Sequence, residues 1–392
     1  MEMKLFSRTD KSALGTWFWT VDKGMLLSIF GLIIYGVVLV ATASPAVAMR
    51  INVSENHFLI RHLVFLVPAV ILMLGVSMLS PRNLWRAGTL LYGFGVLCML
   101  LVPIMGMEIK GAQRWLHLFG FSLQPSELVK PAFAIVSAWL MARQKEREDF
   151  AGDFYAAGFY AVFVALLLVQ PDFGMTVVVT AIFAVQIFLA GLRFRYLAIV
   201  FLAGLGLLLS AYYGFDHVQS RIDRFLNPEA GSTYQVDKSL ESFRAGGVLG
   251  AGPGQGIVKL HLPDAHADFI FAVSGEELGF VFTFLLAGLF LYIMLRGFNH
   301  LMESEDMFSI LACSALLAMI GLQALVHMGS SLHLLPTKGM TLPFISYGGT
   351  SMLSIGISFG AILSLTRHKV RSGVVKSGKG RKRMRFTKSA AI

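Results

Sequence analysis

The sequence is poor in charged residues and in cysteine. Only 14% of its 392 residues are charged and 56% are hydrophobic, whereas a soluble domain has about 25% charged and about 45–50% apolar residues. Both cysteines, Cys98 and Cys313, lie in apolar segments, so neither a disulfide framework nor a cysteine metal site is expected. The glycine-rich run at 246–256 lacks the Gly-Lys-Ser/Thr ending of a phosphate-binding loop, which excludes that kind of nucleotide site.

What the sequence has instead is a series of long apolar segments. Ten of them are long enough to cross about 30 Å of hydrocarbon as helices. Cytoplasmic loops are enriched in Lys and Arg, and with the amino terminus inside, 22 of the 33 such residues fall on the cytoplasmic side. The sequence therefore predicts an all-α polytopic membrane protein with ten transmembrane helices, both termini cytoplasmic and one long external loop between helices 7 and 8. The predicted spans are 23–44, 59–79, 86–105, 127–142, 154–170, 174–191, 194–213, 268–295, 307–328 and 346–366.

The predicted organisation is a membrane domain, 23–366, between two tails. Residues 1–22 form a cytoplasmic tail, and 367–392 form a basic tail that carries most of the net charge of +10. The basic tail is interpreted as an anchor, or as a contact for anionic lipid headgroups or a partner protein; nucleic-acid binding is not expected. The long external loop, 214–267, is predicted to contain a surface helix ending at Pro228 and a second helix at 233–244.

Acidic residues cluster where the long loop enters the eighth span. A carboxylate at the bilayer centre costs roughly 2.5–3.5 kcal/mol, so Asp268, Glu276 and Glu277 indicate a functional site. We expect Asp268 to open the helix, which would place it and Glu276 about 80° apart on one side. Asp264, beside Pro263, is interpreted as part of the loop. Glu276 and Glu277 lie deeper, where they either fix helix packing or line a cavity.

A second polar group lies in and after the loop that precedes the fourth span. Pro125 indicates a helix start with Glu127 in the first turn. Glu127 and Lys130 are spaced i, i+3, so they share one helix face. They form either an interfacial pair in which Lys130 extends its ammonium to the membrane surface, or a polar cavity for an anionic substrate. Arg114 is interpreted as a substrate contact or an interfacial anchor. Asp172 is predicted to cap the helix that follows it.

The third group is the run S-Y-G-G-T-S, which follows L-P-T-K-G and its Lys338. Gly348, Gly349, Thr350 and Ser351 are small, so another helix can pack closely against this run, and Ser346, Gly348 and Gly349 are the candidate supporting residues. The run either serves packing alone or supports the site.

Three segments together resemble the SEDS family of shape, elongation, division and sporulation proteins, and its cell-division members more than its elongation members. They are G-A-Q-R-W-L with Q-P-S-E-L-V-K, A-H-A-D-F-I-F-A-V-S-G-E-E-L-G, and L-P-T-K-G-M-T-L-P-F-I-S-Y-G-G-T-S. The likeness covers all ten predicted spans and the long loop. The family usually has Asn and Gly where His327 and His333 stand, so no role is inferred for these two histidines. It also commonly has Thr at the position of Ala267, beside the key acid.

The resemblance implies an inverting peptidoglycan glycosyltransferase that polymerises lipid II outside the cytoplasmic membrane, at the division septum. Undecaprenyl pyrophosphate would be the leaving group of the reaction. A class B penicillin-binding protein, which is the septal transpeptidase, and other divisome proteins would be its partners, besides lipid II, the nascent glycan strand and membrane lipids. The family's essential acid falls on Asp268, and its polar pair falls on Glu127 and Lys130 with Arg114 nearby.

The chemistry of this reaction sets its own requirements. A base must activate a sugar hydroxyl, and cations or a metal must stabilise the departing pyrophosphate. We expect Asp268 to be the general base or a ligand of a divalent metal, Mg²⁺ or Mn²⁺, and Lys130, Arg114 and Lys338 to contact the pyrophosphate; no organic cofactor is expected. The alternatives are a flippase or transporter of the lipid-linked precursor, and a structural scaffold of the division machinery.

Overall fold

The structure of the chain is a computed structural model that describes residues 12–109, 112–118, 120–214, 216–226, 234–336 and 339–367. Helices dominate it. The helices that overlap the ten predicted spans are α2 (Lys23–Arg50), α3 (His57–Ser77), α4 (Pro81–Met105), α5 (Pro125–Glu146), α6 (Gly152–Val169), α7 (Phe173–Leu189), α8 (Phe194–Gly214), α11 (Ile270–Met302), α12 (Met307–Ser331) and α13 (Gly349–Leu365). The others are α1 (Ala13–Thr20), α9 (Asp216–Leu226) and α10 (Tyr234–Gly246).

Seven helices in the described ranges are long and apolar enough to cross a membrane, by length and composition. They are α2, α3, α4, α6, α8, α11 and α12. The apolar helices α7 and α13 have only 17 residues each. The chain is therefore a multi-pass membrane protein, and its full count of ten spans remains a prediction.

Helix starts follow the local sequence. Pro125 stands in the first turn of α5, as predicted, where a missing N–H costs no hydrogen bond, and Glu127 lies in the same turn. The predicted cap at Asp172 is confirmed, because its Oδ1 accepts the Met175 N–H at 3.2 Å.

The segment before α5 differs from the predicted loop. It forms three short antiparallel strands, β1 (Met107–Ile109), β2 (Ala112–Leu118) and β3 (Phe121–Leu123). Gly120, with a φ of 80°, lies at the turn between β2 and β3. Strands β1 and β3 have only three residues each, which is too short for the residue pattern to separate them from an irregular loop.

The start of the eighth predicted span also needs correction. Helix α11 begins at Ile270, so Asp268 precedes it, and the helix is broken at Gly279, whose φ of 73° and ψ of −176° are essentially restricted to glycine. The glycine-rich run packs directly on this break. A Cβ at Gly250 would lie 2.2 Å from the Glu277 carbonyl oxygen, so the glycines of this run permit a close backbone approach to α11.

Helices α3 and α13 also approach closely through glycine. A Cβ at Gly356 would lie 2.4 Å from the Ala69 carbonyl oxygen, and one at Gly360 would lie 2.5 Å from that of Met73. Small residues permit this approach between membrane helices. The contact fixes α13 beside α3 and so brings the first turn of α13 next to Phe65.

Candidate active site

A cavity of about 420 Å³ lies where the three sequence motifs meet. Its walls come from α3, the β2–β3 hairpin, the first turns of α5 and α13, and the segments that precede α11 and α13. The lining residues are Arg61, Phe65, Trp115, Gly120, Ser122, Gln124, Glu127, Ala267, Asp268, Gly339, Thr341, Tyr347, Gly348, Gly349, Thr350 and Ser351.

A tight turn presents Asp268 to this cavity. The Asp264 carbonyl accepts the N–H groups of Ala267 and Asp268 at 3.0 Å and that of Phe269 at 3.3 Å. Asp264 itself has a φ of 51°, a conformation that aspartate tolerates better than most residues. Asp264 therefore belongs to the loop, as expected, and its backbone shapes the turn that carries Asp268.

Ser346 and Tyr347 fasten this turn. The Ser346 hydroxyl donates to the Ala267 carbonyl at 2.7 Å and accepts the Leu342 N–H at 2.8 Å, while the Tyr347 N–H donates to the His266 carbonyl at 2.9 Å. Ser346 is buried and does not line the cavity among the described residues, so it supports the site from behind.

His266 lies between two aromatic rings. Its ring centroid is 4.2 Å from that of Phe58 and 5.1 Å from that of Tyr347. Burial lowers the pKa of His266 to about 4, against a smaller opposite effect of Asp264. The imidazole is therefore neutral at pH 7 and acts as an aromatic anchor for the turn.

The first turns of α13 bind the segment Q-P-S-E-L-V-K at the start of α5. Thr350 Oγ1 accepts the Gln124 N–H at 3.0 Å, and the Ser354 hydroxyl donates to the Glu127 carbonyl at 2.6 Å. Gly348 and Gly349 line the cavity, where a Cβ at Gly349 would lie 2.8 Å from the Phe65 ring. The run S-Y-G-G-T-S thus holds the other two motifs together, besides packing α13.

The Glu127–Lys130 pair is buried. Lys130 Nζ lies 2.9 Å from Glu127 Oε2, and Lys130 is 0% exposed. The interpretation in which Lys130 extends to the membrane surface is therefore wrong. Glu127 lines the cavity, whereas Lys130 lies behind it and reaches the site through Glu127. The predicted direct contact of Lys130 with the pyrophosphate is therefore wrong.

The structure does not bring Arg114 into the cavity. Its guanidinium donates to the Gln170 carbonyl at 3.1 Å and to the Pro171 carbonyl, and lies 3.8 Å from Asp172 Oδ1. Arg114 thus ties the hairpin to the turn before α7. Lys338, the third predicted pyrophosphate contact, lies outside the described residues.

Arg61 is the charged residue, among the described lining residues, for which the sequence predicted no role. It is exposed, and it is the only cation among the described lining residues. The available signal was an arginine near the external end of a predicted span, where the positive-inside rule gives no reason for one.

Glu276 and Glu277 lie away from the cavity and bind the long loop. The Glu276 carboxylate accepts the Val258 and Lys259 N–H groups at 2.6 and 2.9 Å, and Lys259 Nζ pairs with Glu277 and donates to the Thr42 carbonyl at 2.8 Å. Of the two interpretations, packing is the one that the geometry matches. The expected placement of Asp268 and Glu276 on one helix side is wrong, because Asp268 precedes α11.

The donor set limits how a metal ion would bind. Among the described residues, no group of three or more His, Cys, Asp or Glu is placed to hold one. The described cavity carboxylates are Asp268 and Glu127. Because Mg²⁺ is commonly held by one or two carboxylates with waters and substrate phosphates, these two side chains fit an ion to which a substrate brings the remaining oxygens.

Sequence comparison relates the chain to known proteins over most of its length. The family described as cell cycle protein, which takes in FtsW, RodA and SpoVE, matches residues 23–371. The probable peptidoglycan glycosyltransferase FtsW of Caulobacter vibrioides is 43% identical over 368 residues, which cover 93% of this chain and 94% of that protein. The protein of the same name from Coxiella burnetii is 36% identical and covers 88% of this chain and 96% of its own length.

Solved structures show the same fold. One match is a chain of a peptidoglycan synthase complex that coordinates polymerization and crosslinking. Its TM-score is 0.72 and its identity 29%, over 88% of this chain and 97% of that chain. The rod shape determining protein RodA of Thermus thermophilus matches with a TM-score of 0.65 and 27% identity over 88% of this chain and 96% of its own.

Proposed function

Because this chain belongs to the family of FtsW, RodA and SpoVE, we propose that it polymerises lipid II at the cavity bordered by Asp268. The chain is a peptidoglycan glycosyltransferase. The observation that carries the proposal is the convergence of Asp268, Glu127 and Arg61 on one cavity that all three sequence motifs build.

Asp268 is the group that we assign to the acceptor sugar. In glycosyl transfer a sugar hydroxyl oxygen attacks the anomeric carbon of the donor, the bond from that carbon to the pyrophosphate oxygen breaks, and the pyrophosphate keeps the electron pair. The hydroxyl proton passes to the Asp268 carboxylate. A positioned base of this kind contributes about 10²–10⁴ in rate.

Arg61 is the group that we assign to the leaving pyrophosphate. A guanidinium can bind two phosphate oxygens at once in a bidentate manner. Glu127, held by Lys130, lies on the same cavity and orients the polar part of the substrate. Arg61 thus takes the role that the sequence suggested for Arg114.

A divalent ion, Mg²⁺ or Mn²⁺, is part of the proposal only as an ion shared with substrate. When bound, it would neutralise charge on the pyrophosphate. Asp268 and Glu127 would be its protein ligands. Chelation by EDTA followed by readdition of Mg²⁺ or Mn²⁺ tests this point, and full activity in EDTA would exclude the ion.

An apolar groove of about 580 Å³ between α7 and α8 suits the polyprenyl chain of the substrate. Phe173 lines it and follows Asp172, whose Oδ2 lies 3.4 Å from the side-chain amide of Gln124 in the cavity wall. This proximity supports the groove as the place for the lipid while the sugars occupy the cavity.

The finer setting of the activity is also proposed. The chain would lie in the bacterial inner membrane at the division septum, with ten spans, and work with a class B penicillin-binding protein and other divisome proteins. The match to a polymerising and crosslinking complex supports the penicillin-binding partner.

Topology can be tested with single cysteines, because both native cysteines are buried. A membrane-impermeant maleimide should label Leu249→Cys in intact cells and should label Asp149→Cys only after permeabilisation. Labelling of the second position in intact cells would contradict the ten-span arrangement.

The decisive experiment uses purified full-length protein in lipid nanodiscs, with the penicillin-binding partner, and follows lipid II polymerisation. Asp268→Asn should lower the rate by at least about 10²-fold, because it removes the base. Asp264→Asn is the matched control, since asparagine tolerates the positive φ at residue 264 and the turn is kept. A wild-type rate for Asp268→Asn would refute the assignment, and lipid II translocation without polymer would favour the transporter alternative.

A further inference from the structure

One wall of the cavity rests directly on the Asp268 carboxylate. A Cβ at Gly339 would lie 3.1 Å from Asp268 Oδ2 and 3.5 Å from Oδ1, so the main chain at residue 339 borders the reacting group. Thr341, two residues later, lines the same cavity. The conformation of residues 339–342 therefore decides the space around Asp268.

This wall is fastened at both ends. At one end the Leu342 N–H donates to Ser346 Oγ at 2.8 Å. At the other end the Met340 carbonyl lies 2.7 Å from Nδ1 of His327, which projects from α12 and is 1% exposed. Met340 thus stands between the residue that borders Asp268 and the residue that lines the cavity.

The hydrogen bond fixes the tautomer of His327. A carbonyl oxygen only accepts, so Nδ1 must carry the proton. The other ring nitrogen, Nε2, is buried and has no hydrogen-bond partner among the described residues. The polar contact that the imidazole makes in the described part of the chain is therefore the one with Met340.

We propose that His327 is a positioning residue for the glycosyl transfer reaction, acting through the Met340 carbonyl to hold Gly339 against Asp268. The inference rests on the proposed role of Asp268. Without the Nδ1–H donor, the Met340 carbonyl loses its partner and the wall shifts, which misplaces the substrate hydroxyl relative to the carboxylate.

Three substitutions separate this role from simple space filling. The amide nitrogen of Asn stands at the same bond distance from Cα as His Nδ1 and can donate to Met340. That of Gln corresponds to Nε2, and Leu donates nothing. The matched control is Gln323→Leu, which changes another buried polar side chain one turn earlier in α12.

The experiment measures kcat and KM for lipid II on the full-length protein with its partner, at equal folded concentration verified by melting temperature. His327→Leu and His327→Gln should lower kcat by about 10-fold to 10²-fold with little change in KM, since misplacement of about 1 Å costs that much. His327→Asn and Gln323→Leu should stay within about 3-fold of wild type.

Two results would overturn the inference. One is wild-type kcat for His327→Gln and His327→Leu. The other is an equal loss for His327→Asn, which would mean that the ring volume matters and the donor does not. Asp268→Asn, assayed in parallel, distinguishes a failure of the role proposed for His327 from a failure of the role proposed for Asp268. If it is inactive while His327→Leu is normal, only the inference fails; if it retains the wild-type rate, the proposed function of Asp268 fails first.

Discussion

Two acidic sites lie close together in the sequence and differ in what surrounds them. Asp268 is partly exposed and borders a cavity, whereas Glu276 and Glu277, at 1% and 0% exposure, are buried against the long loop. Glu276 binds two backbone N–H groups, and Glu277 pairs with the ammonium of Lys259.

The difference lies in what each acid has as a neighbour. A buried carboxylate is tolerated when fixed donors satisfy it, as the long loop does for Glu276 and Glu277. Asp268 lies beside Gly339, which has no side chain, and beside open volume. In this protein the acid that borders a cavity is the candidate for catalysis, whereas Glu276 and Glu277 hold the long loop on α11.

The largest effect should come from the cavity side, at Lys130. Lys130→Met leaves the partly buried Glu127 without its partner, which should lower the free energy of unfolding by about 3–5 kcal/mol and abolish polymerisation. The double variant Glu127→Gln with Lys130→Met should recover much of the stability but little of the activity. Stability and activity that recover together would show that the pair serves the fold only.

The next effect compares two arginines on the same side of the protein. Arg61→Ala should lower kcat/KM by about 10-fold to 10²-fold, because a cation facing the pyrophosphate is lost. Arg114→Ala should change it by less than about 3-fold, because its guanidinium binds the turn before α7. Initial rates of lipid II polymerisation give both values, and the opposite order would return the leaving-group role to Arg114.

Substitutions in the Lys259–Glu277 pair, which holds the long loop on α11, should lower the free energy of unfolding. Lys259→Met breaks the buried pair with Glu277 and should cost about 3–5 kcal/mol. Glu277→Gln should cost less, since an amide oxygen still accepts from the Lys259 ammonium. A double-mutant cycle on melting in nanodiscs measures the coupling between the two side chains. Coupling near zero would mean that the contact does not hold the loop.

The smallest effect should come from the apolar groove. Ala181→Trp narrows it and should raise KM for lipid II by about 3-fold to 10-fold at unchanged kcat, because lipid binding and chemistry are separate. A short-chain lipid II analogue should show no such difference between wild type and variant. An equal effect on both substrates would place the polyprenyl chain elsewhere.

Much of this arrangement was predictable from the sequence. Apolar run length located a helix at every predicted span, and Asp172 and Pro125 marked helix starts through well-understood capping chemistry. The association of the three motifs followed from the family resemblance. The cost of a carboxylate in a membrane segment pointed to Asp268, Glu276 and Glu277 alike, and the resemblance singled out Asp268.

The rest depended on contacts between distant parts of the chain. Whether Lys130 extends to the surface or is buried depends on which helices cover it, and spacing within α5 carries no such information. The partners of Arg114 are carbonyls 56 and 57 residues away. Arg61 lines the cavity because α13 and the β2–β3 hairpin form the walls around it, and the sequence does not show this association. The break at Gly279 depends on how the glycine-rich run packs on α11.

The measurement that tests the central claim most directly is the lipid II polymerisation rate per folded molecule of Asp268→Asn and Glu277→Gln, side by side with wild type. We expect Asp268→Asn to melt like wild type and to lose at least about 10²-fold in rate, and Glu277→Gln to melt at a lower temperature while keeping its rate within about 3-fold. A folded Glu277→Gln protein as inactive as Asp268→Asn, or an Asp268→Asn protein with the wild-type rate, would contradict the account.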